Sequence, residues 1–202
     1  MKIALIGASG NAGSRILDEL VRRGHSVTAI VRNPEKIAQN PKVTARAGDV
    51  FDQAGLANLL KGHDAVISSV HFTASDPRKL IEAVRAAGVN RYLVVGGAGS
   101  LEVAPGKPLI DTPEFPAIHK AEAAAGGVFL DLLRAEKEIN WTFLSPSAMF
   151  VPGERTGKFR LGTDQLLSNE KGSTISFEDY AIALADEVEK PAHSRRRFTV
   201  GY

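Results

Sequence analysis

An apolar run, Ile3-Ala4-Leu5-Ile6, leads directly into Gly7-Ala8-Ser9-Gly10-Asn11-Ala12-Gly13, and behind it apolar residues recur at spacings of three and four. No other feature restricts the fold as tightly. An apolar run without polar alternation belongs to a strand buried on both faces, and spacing of three and four belongs to a helix. A strand that passes into a helix through three glycines gives each glycine a task. Gly7 permits the tight turn, Gly10 lets the backbone approach a pyrophosphate, and Gly13 lets the helix lie close on the strand. The helix N-terminus then turns free N–H groups and the positive end of its dipole toward the phosphates. Gly7, Ser9, Gly10, Asn11, Ala12 and Gly13 are therefore the expected phosphate contacts of a dinucleotide.

The same alternation continues along the chain. Strand-like runs at 3–6, 26–31, 43–45, 65–70, 91–95, 141–144 and 198–200 are separated by helical periods at 11–23, 53–61, 77–87, 120–137 and 177–190. This repetition predicts an α/β doubly wound Rossmann fold, a parallel sheet of about seven strands with helices on both faces. Asn11 is a candidate cap for the first helix, Gly24 and Gly88 are helix stops, Asp76-Pro77 gives the third helix an N-cap and a first-turn proline, and Ser176 with Asp179 forms a near capping box. Residues 1–202 read as one domain. Two stretches, 96–119 and 145–173, resist regular assignment. Both leave from carboxyl ends of strands, where the crevice of an open parallel sheet lies, and are expected to be substrate-side loops.

Composition narrows the function classes. Hydrophobic residues are 44% and charged residues 24%, and no apolar run approaches the roughly 20 residues of a membrane-spanning helix. Cysteine is absent, which excludes disulfides, thiolate metal sites and a cysteine nucleophile. A net charge of +2 with 6% aromatics provides no basic stripe for nucleic acid. The one basic cluster, Arg195-Arg196-Arg197, reads as a solvated entrance to the last strand. His25, His63 and His193 lack ligand spacing, so no metal is expected. Without a basic, then apolar, then small-residue leader ahead of the first strand, a cytoplasmic location is the expectation.

The second strand ends in Val31-Arg32, where sites for a bare ribose place an acid. A guanidinium there pairs with a 2′-phosphate, so NADP(H) is expected in preference to NAD(H). Asp49, followed by Val50, is placed either to receive an adenine amino group or to hold an Asx turn. Ser68, Ser69 and Val70 end the fourth strand, where they would border the nicotinamide ribose.

Taken together, the Gly7–Gly13 loop, Val-Arg-Asn-Pro-Glu-Lys after the second strand, Ala-Gly-Asp-Val-Phe-Asp, Val-Val-Gly-Gly-Ala-Gly-Ser and Trp-Thr-Phe-Leu-Ser-Pro-Ser-Ala resemble a known group. This is the atypical short-chain dehydrogenase/reductases similar to biliverdin-IXβ reductase, or flavin reductase. The likeness spans the chain. It implies a seven-stranded parallel sheet and reduction of flavins, quinones or tetrapyrroles. The Tyr-x-x-x-Lys pair of typical short-chain dehydrogenases is missing: Tyr92 and Tyr180 precede Gly96 and Leu184 by four, and Lys120 follows Pro116 by four. Hydride transfer to an electron-poor ring does not need that pair, because the developing anion is delocalised. Ser147 and Ala148 stand where biliverdin-type reductases carry a histidine, which argues against a tetrapyrrole. Ser100 lies within one residue of the group's serine, and His71, His119 and Lys120 are further candidates for proton or hydrogen-bond donation. Met149, Phe150 and Pro152 beside Glu154, Arg155, Lys158 and Arg160 would suit a planar ring with an anionic tail. The expected partner is a small flavin or quinone-like acceptor. The rival reading is an NmrA-like regulator that binds the dinucleotide without turning it over.

Overall fold

The computed structural model describes residues 1–202. In chain order the elements are β1 (Lys2–Ile6), α1 (Asn11–Arg22), β2 (Ser26–Val31), β3 (Val43–Ala47), α2 (Gln53–Leu60), β4 (Ala65–Ser68), α3 (Pro77–Ala86) and β5 (Arg91–Val95). They continue with β6 (Glu102–Ala104), β7 (Lys107–Pro108), α4 (Lys120–Ala135), β8 (Asn140–Pro146), β9 (Met149–Val151), β10 (Arg160–Gly162), β11 (Thr174–Ser176), α5 (Phe177–Glu189) and β12 (Arg196–Gly201).

The main sheet has eight strands in the order β10-β12-β8-β5-β4-β1-β2-β3. The seven from β12 to β3 run parallel, as the sequence predicts. The eighth is an antiparallel edge, β10, with Leu161 opposite Val200. Its three residues show no alternation, so nothing local marks it as a strand; pairing with β12 creates it. Alternate residues of β1 serve different layers. Ile3 and Leu5 join the layer of Ile16 and Leu20 of α1 and Tyr180 and Leu184 of α5. Ala4 and Ile6 join the layer of Leu56, Leu80, Phe129 and Phe143 beneath α2, α3 and α4. Each fully buried Leu, Ile or Phe contributes about 1.5–3 kcal/mol. The chain winds outward from β1 through β2 to β3, then returns to β4 on the other flank of β1. That reversal opens a crevice beyond the carboxyl ends of β1 and β4.

Helix stops fall as expected. Gly24 and Gly88 have φ of +88° and +71°, and the Ser176 hydroxyl accepts the Asp179 N–H at 3.0 Å. The reciprocal half of that box is not made. Asp179 is buried, and its carboxylate accepts from the Thr156 and Gly157 N–H groups, each at 2.8 Å, and from the Tyr202 hydroxyl at 2.9 Å.

The two expected loops contain more order than the sequence reveals. Stretch 96–119 carries the β6–β7 hairpin, and within 145–173 β9 pairs in parallel with β11, Phe150 opposite Ile175. The segment from Gly153 to Lys158 does not stand free as a ligand loop. It lies against α1 and α5, where the Gly153 N–H donates to Glu178 and Arg155 donates to Glu19 at 2.8 and 2.9 Å. Arg160 is spent on the carbonyls of Ser168 and Tyr202, and Phe150 packs on Phe177 and Tyr180. The expected ring-and-tail site there is not formed. The basic cluster before β12 also needs correction. Arg195 and Arg196 are solvated, but Arg197 is buried and donates to Asp164 and to the Ser100 hydroxyl. Both Arg196 and Arg197 lie on β12, and Arg197 is the one whose side chain faces inward.

Glu19 is 3% exposed and joins α1 to the 153–158 segment through Arg155, while Arg23, which also donates to it, reaches Asp186 and Glu189 of α5. Hydrogen bonds from Arg155, opposed by burial and reinforced by Arg23, draw its carboxyl from 4.5 down to about 2. A depressed folded-state value means that its stabilisation is complete above the ordinary carboxylate range and is lost as pH falls from about 4.5 toward 2. Glu19→Gln is expected to unfold at lower urea concentration than the parent at pH 7. Between pH 4.5 and 2 the gap should narrow; a gap that stays constant with pH would disprove the assignment.

Candidate functional site

Gly7 leaves β1 with φ of +83°, a left-handed turn that glycine takes without strain. Its N–H donates to the Ile30 carbonyl at 2.9 Å, pinning the turn to β2. A methyl group on Gly7 would collide with the Ser69 carbonyl oxygen, and one on Gly13 with the Gly7 carbonyl oxygen. Packing alone therefore accounts for these two glycines. Gly10 differs, because a methyl there would meet nothing closer than the Gly7 oxygen at 3.4 Å, and the residue is exposed. The chain itself does not require a glycine at this point; a ligand approaching the backbone would.

Gly10, not Asn11, caps α1. Its backbone is extended (φ −75°, ψ 171°) and no side chain satisfies the first turn. Asn11 is instead the first helical residue, with its side chain in solvent, which corrects the sequence expectation. As a result the N–H groups of Asn11, Ala12 and Gly13 have no acceptor in the chain, and the first turn carries no acid. Three free donors at the positive end of a helix dipole, beside the exposed Ser9, form a seat for phosphate. The residues present thus fit a dinucleotide pyrophosphate.

Arg32 projects from the end of β2 into solvent, with its guanidinium in no hydrogen bond or ion pair. Asp49 holds an Asx turn, accepting the Phe51 N–H at 2.9 Å through Oδ1, while Oδ2 stays free. Val50 packs at the edge of the α2–α3 layer. Ser69 donates its N–H to the Ile6 carbonyl at 2.8 Å, and Ser69 and Val70 both abut Gly7. Ser68 requires correction: it is buried, and its hydroxyl bonds the Tyr92 hydroxyl at 2.9 Å, out of reach of a ribose. It is the last residue of β4, and its side chain points into the α3–α4 layer with Tyr92.

Ser100 also has a partner within the fold. Its hydroxyl accepts from buried Arg197 at 3.0 Å. It lines a polar groove of about 380 Å³ with Gly127, Asp131, Arg134 and Asp164 along the flank of α4, apart from the glycine loop. His119 and Lys120 stand exposed at the front of α4 without hydrogen-bond partners. The residue that sequence reading missed is Glu122, the one acid in the first turn of α4. Its carboxylate accepts the Phe72 N–H at 2.7 Å, the Thr73 N–H at 3.0 Å and the Thr73 hydroxyl at 2.6 Å, and faces His71 Nδ1 at 3.3 Å. Burial alone would raise its pKa, but these donors prevail and hold it below the usual carboxylate range. A single acid in an alanine-rich helix front was the available signal.

All three tyrosines are committed to the fold. Tyr92 bonds Ser68, Tyr180 donates to the Leu144 carbonyl at 2.6 Å, and Tyr202 bonds Ser176 and donates to Asp179. Burial pushes all three phenols above their ordinary value. No phenol is left to act as an acid or base in the crevice.

Comparison with known proteins agrees with this geometry. A family profile described as NAD(P)H-binding matches residues 7–191. The protein YwnB of Bacillus subtilis (strain 168) is 46% identical over 99% of this chain and 98% of its own length. A Bacteroides thetaiotaomicron structure, provisionally described as an epimerase, has 46% identity and a TM-score of 0.95, covering 100% of this chain and 96% of that one. A Streptococcus pneumoniae TIGR4 structure, provisionally described as an NADH-flavin reductase, has 40% identity and a TM-score of 0.81, covering 100% and 99%.

The glycines can be separated by experiment. Gly13→Ala is expected to lose about 1–3 kcal/mol of stability by overpacking. Gly10→Ala should lose less than about 1 kcal/mol, yet bind a reduced nicotinamide dinucleotide at least about tenfold more weakly, about 1.4 kcal/mol. Urea unfolding and fluorescence titration measure both; unchanged affinity in Gly10→Ala would remove the phosphate seat from that position.

Proposed function

This chain belongs to the NAD(P)H-binding family, and from that premise we propose that it is an NADPH-dependent reductase passing hydride to a flavin or quinone-like acceptor. The observation that carries this reading is the open phosphate seat at Asn11, Ala12 and Gly13 in a crevice where no phenol is free. Bound reduced dinucleotide supplies a hydride. The chain's own part is to seat the phosphates, hold the rings in register and exclude competing water. Arg32, unpaired at the end of β2, meets the 2′-phosphate, and Asp49 Oδ2 is free for the adenine amino group. Aldehyde and alcohol chemistry that depends on a tyrosine acid is disfavoured, because the fold consumes every phenol. Acceptors whose reduced anion is delocalised do not need one. A reductase of this kind draws on the cytoplasmic pool of reduced dinucleotide, and we place it there.

A second reading, an NADPH-binding sensor without turnover, rests on one observation. Two grooves, of about 380 and 360 Å³, lie beside α4 and at the end of α5, and neither includes a glycine-loop residue. Anaerobic oxidation of NADPH and NADH, offered FMN, FAD, riboflavin and small quinones, separates the two. The reductase reading expects turnover that prefers NADPH, with that preference falling about tenfold or more in Arg32→Ala. Tight NADPH binding with no oxidation by any acceptor would leave the sensor reading standing.

A further inference from the structure

Three of the four donors around Glu122 have no bearing on a surface ion pair. The Phe72 N–H, the Thr73 N–H and the Thr73 hydroxyl fix the carboxylate in place, and the fourth group, His71 Nδ1, meets an acceptor that is already oriented. The turn itself is rigid. Phe72 is buried, stacked on Phe143 at 6.2 Å and set edge-on to Phe129 at 6.0 Å. The space for this packing comes from Gly126 of α4, where a methyl group would press on the Phe72 ring at 2.8 Å. The His71 side chain is 85% exposed, so its Nε2 edge is open. Its neighbour Val70 touches Gly7. The imidazole therefore stands beyond the carboxyl end of β4, beside the front of α4.

We propose that His71 and Glu122 form a proton-delivery dyad for the reductase reading above, on which it rests: His71 is the catalytic acid and Glu122 its positioning residue. Transfer of a hydride to a quinone or flavin leaves one unit of negative charge on the acceptor, and one proton completes the two-electron reduction. The imidazolium Nε2–H bond breaks as the acceptor's O–H or N–H bond forms. The Nδ1–H stays on Glu122, the ring is left neutral, and bulk water returns the proton through the exposed edge. Glu122 fixes the tautomer, the task a carboxylate performs wherever an imidazole must keep one nitrogen clear. Charged groups on the neighbouring elements make no bond to the ring. His119 and Lys120 at the front of α4 have no partners, Lys79 of α3 donates to the Phe51 carbonyl, and Asp76 accepts the Arg78 N–H.

The test uses the full-length protein with His71→Ala and Glu122→Gln, a small quinone as acceptor, NADPH fluorescence titration, and 15N spectra of the imidazoles without dinucleotide. His71→Ala should bind NADPH as the parent does, lose about tenfold or more in kcat with little change in KM, and regain turnover when imidazole is added. Parent kcat should fall as pH rises, and the His71→Ala profile should be flat over the same range. The spectra should show neutral His71 as the Nδ1–H tautomer in the parent and not in Glu122→Gln. An Nε2–H tautomer in the parent, or His71→Ala with parental kcat and pH profile, overturns the dyad alone. A parent that binds NADPH and oxidises it with no acceptor overturns the reductase reading and the dyad together.

Discussion

A close backbone approach joins the end of β1, the start of α1 and the end of β4. The Ser69 carbonyl occupies the space where Gly7 would carry a side chain, and the Gly7 carbonyl occupies that of Gly13. Two missing methyl groups let a helix and two strands meet at main-chain distance. From that contact follow the left-handed turn at Gly7, the cap at Gly10 and the direction in which α1 departs. It also determines the chemistry. A helix that begins pressed against its own strand, with no side-chain cap, leaves its first N–H groups unsatisfied. In a site with no ligand role, an Asp, Ser or Thr cap would be the ordinary solution.

Elsewhere the fold shows the opposite treatment of polar groups. Glu19 collects Arg23 and Arg155, Asp179 collects two N–H groups and a phenol, and Glu187 collects Arg91 and His193. These buried acids do the joining that apolar contacts cannot do for the irregular second half of the chain. Between Ala148 and Ser173 the strands are only three residues long. Such ribbons hold little apolar area, so their placement depends on carboxylates reached from α1 and α5.

This contrast explains what was legible in the sequence. The parallel strands and the glycine loop are encoded locally, by apolar runs and by residues whose task is set within a few positions. Expectations for Gly7, Gly13, Gly24 and Ser176 depended only on such neighbours and agree with the structure. Ser68, Ser100, Arg155 and Arg197 could not be read, because each side chain is directed by a partner 24 to 136 residues away. A serine at a strand end looks the same in sequence whether its hydroxyl meets a ribose or a tyrosine. Asn11 failed for a subtler reason. Its residue type favours a cap, but the turn imposed by Gly7 places the cap one residue earlier.

Sorting polar groups by whether the fold consumes them separates structure from chemistry more sharply than residue type does. The phenols, Ser68, Ser100, Arg155 and Arg160 were all plausible ligand contacts by type, and each is used internally. Among the candidate contacts, those left free are the N–H trio of α1, Arg32, one oxygen of Asp49, the open edge of His71, His119 and Lys120. These belong to the ends of β1, β2, β3 and β4 and the front of α4, the ends that bound the crevice at the strand reversal. Their gathering along one edge, with donors toward phosphate at one end and an oriented imidazole toward the other, is what a site for an extended, anionic, redox-active ligand requires.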